Sequence, residues 1–152
     1  FKIMAAVNIV HVPYKGASLA ITSLLSGETQ MTITGVGTVL GQMKAGKMRG
    51  LAVTSVQPSA LAPGMPTVAA YLPGFEAVGV TGVWVPVKTS AAIINRLNQE
   101  IQRYLNRADV KEGYFVRGSE VVGGSPDGLA AFVRADIALM GKIIKEAGIR
   151  EE

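Results

Sequence analysis

The sequence predicts an α/β fold in which a parallel sheet carries helices on both of its faces. Short β-branched segments alternate with helix-like segments over residues 1–54, and three strands joined by two helices most often form a right-handed parallel unit. Residues 1–87 hold only five basic and two acidic side chains, as expected where helices cover both faces of a sheet. Amphipathic helix patterns follow in residues 88–152, with apolar side chains along one stripe.

The first half of the chain contains predicted strands over Asn8–Pro13, Gln30–Thr34 and Met48–Thr54. Each segment is short, rich in β-branched or other apolar residues, and bounded by turn-forming residues. Helices are predicted over Ala17–Leu25 and Val36–Ala45, and a glycine follows each of them within two residues. Glycine commonly ends a helix at this position, so the predicted order of elements is βαβαβ.

The second half is predicted to be mostly helical. Four prolines precede Phe75–Val85, so we expect a loop there with one short helical turn near Thr67–Tyr71. Phe75–Val85 itself is apolar and extended, and Thr89–Arg107 has the spacing of a long amphipathic helix. A last helix is predicted to begin after an N-cap at Ser125 and to stop at Gly148.

Composition excludes several classes of protein. The 152-residue chain has a net charge of +4 but no basic stripe with interleaved aromatic residues, so we predict no nucleic-acid partner. The absence of cysteine excludes disulfides, thiol catalysis and zinc–thiolate sites. No apolar run reaches the roughly 18 residues of a typical membrane-spanning helix.

The sequence gives little support to a catalytic function. His11 is the one histidine and lies within a predicted strand, and Glu28 is the one acidic residue among the first 75. Neither a pair of carboxylates nor a cluster of metal ligands can be assembled from these residues. Gly35 and Gly37 resemble the start of a dinucleotide fingerprint, but Leu40 replaces its third glycine. We therefore predict no enzyme activity, no metal and no cofactor.

Two loops are candidate ligand sites because each follows a predicted strand and opens a helix. The first amides of a helix lack an intrahelical partner and the helix dipole adds partial positive charge, so a small anion such as a carboxylate is expected there. In open α/β sheets, ligands bind at the edge where such loops meet. From pattern alone, an ordinary cap and turn explains the same residues equally well. The candidate ligand-binding residues are Tyr14, Lys15, Gly16, Ala17, Ser18, Thr34 and Gly35.

Five phrases spread along the chain resemble one family, the substrate-binding proteins of tripartite tricarboxylate transporters, also called the Bug family. They occur in the family's order and cover nearly the whole chain. The phrases are HVPYKG (11–16), KAGKMRGLAVTS (44–55), MPTVAAYLPGFEAV (65–78), LNQEI (97–101) and VGGSPDGLAAFVRADI (122–137).

The resemblance implies a two-lobed type II periplasmic-binding-protein fold that closes around a small carboxylate. The expected ligand is a di- or tricarboxylate or an amino-acid-like molecule, passed to a membrane transporter built from a large and a small subunit. Members of the family are periplasmic and are not enzymes, and a signal peptide is expected upstream of this sequence.

The resemblance also implies a division of the chain, because family members are longer. Residues 1–75 would be the remainder of the second ligand-binding lobe, and residues 76–87 a hinge strand that crosses between lobes. Residues 88–152 would be a helical segment that packs on the first lobe, which this fragment lacks. Apolar surface left by the missing lobe would then favour self-association.

At the first loop, the family holds the ligand carboxylate through backbone groups, small side chains and water, which implies this role for the residues from Tyr14 to Ser18. Two departures from the family's pattern lie in the candidate loops, and the one in the second loop implies a different ligand. Ala17 stands where many relatives have a second glycine, and Thr34-Gly35 stands where many have Asp-Asn. The alternative function is the effector-sensing domain of a transcriptional regulator, which shares the two-lobed architecture.

Overall fold

A computed structural model of the protein describes residues 1–148. Helices dominate this part of the chain, and the short turn predicted near Thr67–Tyr71 is a 3₁₀ helix over Val68–Ala70. The α-helices are α1 (Lys2–Ala5), α2 (Ala17–Leu25), α3 (Val36–Lys44), α4 (Ala91–Leu105), α5 (Ala108–Val116) and α6 (Pro126–Ala147). Within residues 1–148, no helix combines the length and the apolar character needed to cross a membrane.

The chain divides into two compact units. Unit 1 contains Phe1–Val80 and a later segment, Glu112–Glu120, whereas unit 2 contains Thr81–Lys111 and the chain from Val121 onward. The boundary at Lys111 lies inside α5. Unit 1 therefore takes in a short segment from late in the sequence.

The helix predictions are confirmed except for α5, which the sequence analysis missed. The bounds of α2 agree with the predicted Ala17–Leu25, and α3 ends one residue before the predicted Ala45. In α5, Val110 is the buried residue. The apolar side chains of this nine-residue helix do not repeat along one face, so periodicity could not predict it.

The strand predictions are wrong for the described part of the chain, residues 1–148. None of the four predicted segments is a strand there, and the β-pairing is one parallel bridge between Val53 and Thr67. Apolar side chains of the predicted strands are consequently exposed: Val10 is 82% and Leu51 66% accessible.

The predicted strands form no ladder because few of their backbone hydrogen bonds are consecutive. The Val53 amide donates to Pro66 O at 2.9 Å, and the Ala77 amide donates to Thr54 O at 3.0 Å. A parallel ladder requires evenly spaced bonds along both segments, and proline has no amide to donate. The last two residues of the predicted third strand thus pair with the loop that follows it and with the start of Phe75–Val85.

The core of unit 1 forms around this pairing. Its buried apolar residues are Val53, Ala62 and Phe75. Thr67 is also buried and forms the parallel bridge with Val53. The Thr67 hydroxyl accepts from the Ala70 amide at 3.2 Å and so caps the 3₁₀ helix. A capped turn gives the buried threonine a hydrogen-bond partner, which a buried polar group requires.

Unit 2 is organised by α4 and α6, which contact each other. The amide side chains of Asn98 and Gln102 in α4 both donate to the Gly124 carbonyl, at 2.9 and 2.7 Å. Ser125 follows directly and caps α6, accepting from the Gly128 amide at 3.0 Å, with Pro126 as the first helical residue. The predicted cap at Ser125 and stop at Gly148 are confirmed.

We predict that Ser125→Ala lowers the free energy of unfolding by about 1 kcal/mol, the usual contribution of an N-cap side chain. Ser90→Ala is the matched control, because Ser90 is the N-cap of α4 without a side-chain bond to that helix. Urea unfolding followed by circular dichroism measures both variants. Equal losses for the two serines would contradict the capping role of Ser125.

Candidate functional site

The loop that opens α2 ends in a tight turn built on Gly16. We call Tyr14–Ser18 the α2 entrance. The Gly16 amide donates to the Tyr14 carbonyl at 2.9 Å, which makes Lys15 the centre of a three-residue γ-turn. Gly16 is the N-cap of α2 with φ 116° and ψ 160°, a conformation essentially restricted to glycine. Lys15 is exposed.

The first turn of α2 presents unpaired backbone amides. Gly16 has no side chain with which to cap them, and nothing lies within 4 Å of the position its Cβ would occupy. Ala17, Ser18 and Leu19 are all exposed, and their amides precede the first intrahelical bond. Together with the helix dipole, this is the arrangement that binds anions at helix N-termini.

Tyr14 has a structural partner that the sequence analysis did not identify. Its hydroxyl donates to Ser23 Oγ at 2.6 Å, and Ser23 Oγ in turn donates to Thr29 Oγ1 at 3.2 Å. Ser23 is 4% accessible, so this chain of hydroxyls fixes the α2 entrance to the inner face of its own helix. No sequence signal could have found the pair, because nine residues separate Tyr14 from Ser23 and neither belongs to a periodic pattern.

The loop that opens α3 is held by a threonine on the first turn of that helix. We call Thr34–Gly37 the α3 entrance, with Gly35 as the N-cap. Thr38 Oγ1 donates to the Gly35 carbonyl at 2.6 Å and lies 3.1 Å from Thr34 Oγ1. Thr38 was not among the predicted site residues, although its position three residues after the N-cap is where a side chain can reach back to a helix start.

All seven predicted site residues belong to unit 1. They fall on the entrances of two helices, α2 and α3, that contact each other. Neither helix start has a side-chain cap at its N-cap residue, because both N-caps are glycines. The structure thus places in contact two helices that both begin at a glycine N-cap. The Tyr14 hydroxyl supports the first of them, α2.

The charged groups of the described residues form no metal site. Within residues 1–148, no group of three or more His, Asp or Glu side chains could hold a metal ion. Arg107 in unit 2 donates two hydrogen bonds to Asp109, at 3.1 and 2.7 Å. These bonds lower the pKa of the Asp109 carboxyl and raise the pKa of Arg107. Both side chains are exposed, so the pair stabilises the start of α5 only modestly.

Comparison with known proteins decides the family. A family model described as "Tripartite tricarboxylate transporter family receptor" matches residues 1–149. This chain belongs to that family. It is 35% identical over 144 residues to the UPF0065 protein in the tcbD-tcbE intergenic region of Pseudomonas sp. (strain P51), a match that covers 93% of this chain and 43% of that protein. The resemblance drawn from the five sequence phrases is confirmed.

Solved structures identify the fold. An R. palustris protein solved with adipate is 33% identical, with a TM-score of 0.84, over 97% of this chain and 50% of that one. The periplasmic binding protein BugD is 25% identical, with a TM-score of 0.75, over 99% of this chain and 52% of its own. The chain thus spans about half the length of these receptors, and the predicted fold class, part of a two-lobed periplasmic-binding-protein fold, is confirmed.

We predict that Tyr14→Phe lowers the free energy of unfolding by about 1 kcal/mol, the usual net contribution of one hydrogen bond. The substitution removes the donor to the buried Ser23 hydroxyl and leaves the ring in place. Tyr71→Phe is the control, because Tyr71 is 74% accessible. Urea unfolding of the three proteins measures the difference. A Tyr14 variant as stable as the Tyr71 variant would contradict the supporting role of this hydroxyl.

Proposed function

We propose that this chain is the carboxylate-binding part of an extracytoplasmic solute receptor. The observation that carries the proposal is the α2 entrance, where Gly16 opens a helix with unpaired amides inside the HVPYKG phrase. Membership of a receptor family supports the class of function, and the R. palustris relative solved with adipate supports the class of ligand.

The chemistry of the α2 entrance suits a carboxylate. A carboxylate has two oxygens and about four lone-pair directions, so it accepts from several amides at once. Ala17, Ser18 and Leu19 are exposed residues whose amides can supply these bonds, and the Ser18 hydroxyl can add another. Hydrogen bonds to an ionised acceptor are shorter and stronger than neutral ones, so this arrangement favours the charged form of the ligand.

A ligand with a second polar end would engage the α3 entrance. This entrance offers the Thr34 hydroxyl and the first amides of α3. Because it has no acidic side chain, a second carboxylate would meet no like charge there. A dicarboxylate is therefore the ligand class that fits the residues of both entrances.

The remaining parts of the proposal follow from the family. The receptor would work in the periplasm and deliver its ligand to the membrane subunits of a tripartite tricarboxylate-type transporter. Binding would proceed without covalent chemistry and without a cofactor. The division of the chain that goes with this proposal is that residues 1–75 would form the rest of one ligand-binding lobe, residues 76–87 a hinge strand, and residues 88–152 a segment that packs on the other lobe.

The function is tested by thermal melts of the full-length gene product against a panel of mono-, di- and tricarboxylates that includes adipate. We expect one or more dicarboxylates to raise Tm by several degrees, because a ligand specific for the folded state stabilises it by mass action. The matching diols are the uncharged controls. A folded protein whose Tm is unchanged by the whole panel would contradict a carboxylate receptor.

We predict that Gly16→Val abolishes carboxylate binding in the full-length gene product while the protein stays folded. A β-branched side chain is strained at φ 116° and would cover the first amides of α2. Gly27→Val is the matched control, because Gly27 follows the other end of α2 with φ 80° and nothing within 4 Å of its Cβ position. Isothermal titration calorimetry compares them, and full affinity in the Gly16 variant would exclude the α2 entrance as the site.

A further inference from the structure

Two glycines from distant parts of the sequence meet backbone to backbone in unit 1. A Cβ on Gly37, in the first turn of α3, would overlap the Arg117 carbonyl oxygen and lie 3.4 Å from the Gly118 Cα. A Cβ on Gly118 would overlap the Gly37 Cα and amide nitrogen and lie 3.3 Å from the Val36 carbonyl carbon. Since backbone atoms cannot rotate away as a side chain can, only glycine fits at either position.

Gly118 belongs to a well-formed turn that ends α5. Its amide donates to the Phe115 carbonyl at 2.9 Å, and the Ser119 amide donates to the Tyr114 carbonyl at 3.0 Å. Gly118 has φ +77°, and this combination is the Schellman motif of helix ends. The turn is thus fixed by its own hydrogen bonds and presents a rigid backbone surface to the start of α3.

The segment that carries this turn is tethered to unit 1 at a second point. Ser59 Oγ donates to Glu120 Oε1 at 2.7 Å, across 61 residues of sequence. Glu120 is the last residue of the Glu112–Glu120 segment that unit 1 takes from the later part of the chain. The Gly37–Gly118 contact and the Ser59–Glu120 bond together hold this segment against residues that come much earlier.

We propose that the α5 turn positions the α3 entrance for ligand binding, with Gly118 as a positioning residue that acts through its backbone contact with Gly37. The proposal rests on the proposed function, since it assumes that the α3 entrance binds one end of a carboxylate ligand. Thr34 and Gly35 lie three and two residues before Gly37. A displacement of Gly37 by an added Cβ would therefore move the hydroxyl and amides that receive the ligand.

The test uses Gly37→Ala and Gly118→Ala in the full-length gene product, with adipate titrated by calorimetry. We expect each variant to bind about tenfold more weakly, the effect of losing one hydrogen bond to a charged group. Gly41→Ala is the control for Gly37, because it lies on the same helix with nothing within 4 Å of its Cβ position. Gly27→Ala is the control for Gly118, because it has φ +80° and equally open surroundings.

The double variant separates positioning from general destabilisation. Because either Cβ breaks the same contact, Gly37→Ala with Gly118→Ala is expected to bind about as weakly as one single variant, whereas independent effects would multiply. Affinities of both single variants equal to those of their controls would overturn the proposal. A loss of Tm with unchanged affinity would also overturn it, because that pattern marks a purely structural contact.

Hydrogen exchange tests, without a ligand, whether the α5 turn holds the start of α3 in place. In Gly118→Ala, we expect faster exchange of the α3 amides from Thr38 onward and unchanged exchange in α2, since local opening governs these rates. Unchanged exchange in α3 would overturn the positioning role. If the unmodified protein bound neither adipate nor any other carboxylate of the panel, the proposed function would fail, and hydrogen exchange would still decide whether the α5 turn positions the α3 entrance.

Discussion

The candidate site depends on one constraint, which is that a helix must satisfy the amides of its first turn from outside the helix. Ser125 meets this constraint in α6 with its own hydroxyl. In α2 and α3, the N-caps are Gly16 and Gly35, which have no side chain to offer. The N-cap residue therefore supplies no side-chain partner to the first-turn amides of these two helices, whereas the Ser125 hydroxyl supplies one in α6.

Three contacts hold the backbone near the starts of α2 and α3 without accepting a hydrogen bond from the first amides of either helix. The hydroxyl chain from Tyr14 to Ser23 acts on the inner side of α2, behind the entrance. Thr38 holds the Gly35 carbonyl, not the amides that follow it. The backbone of the Gly118 turn lies directly against the backbone of the first turn of α3. Because none of these contacts accepts a hydrogen bond from the first amides of either helix, each entrance is held in place and stays open, as a preorganised binding site requires.

The sequence-based predictions succeeded where local rules determine the structure. Ala17–Leu25 and the α6 boundaries follow from glycine stops, a serine cap and proline at the first helical position. The strand predictions failed because a strand needs partners, and Val53 and Thr54 find theirs in the proline-rich loop and Phe75–Val85. α5 was missed because its apolar side chains do not repeat along one face and leave no period to detect. The five family phrases identified the family, as the match over residues 1–149 confirms.

The sequence by itself determined the family, most of the helices and the two loops that open α2 and α3, because short-range propensities and contiguous phrases carry that information. Only the tertiary structure decided that Tyr14 supports α2 through Ser23, and that Gly37 meets Gly118 across some eighty residues of chain. The physical reason is that a glycine in the sequence indicates only which backbone conformations are allowed at that position. Which backbone fills the space left by the missing Cβ is settled by how distant segments pack.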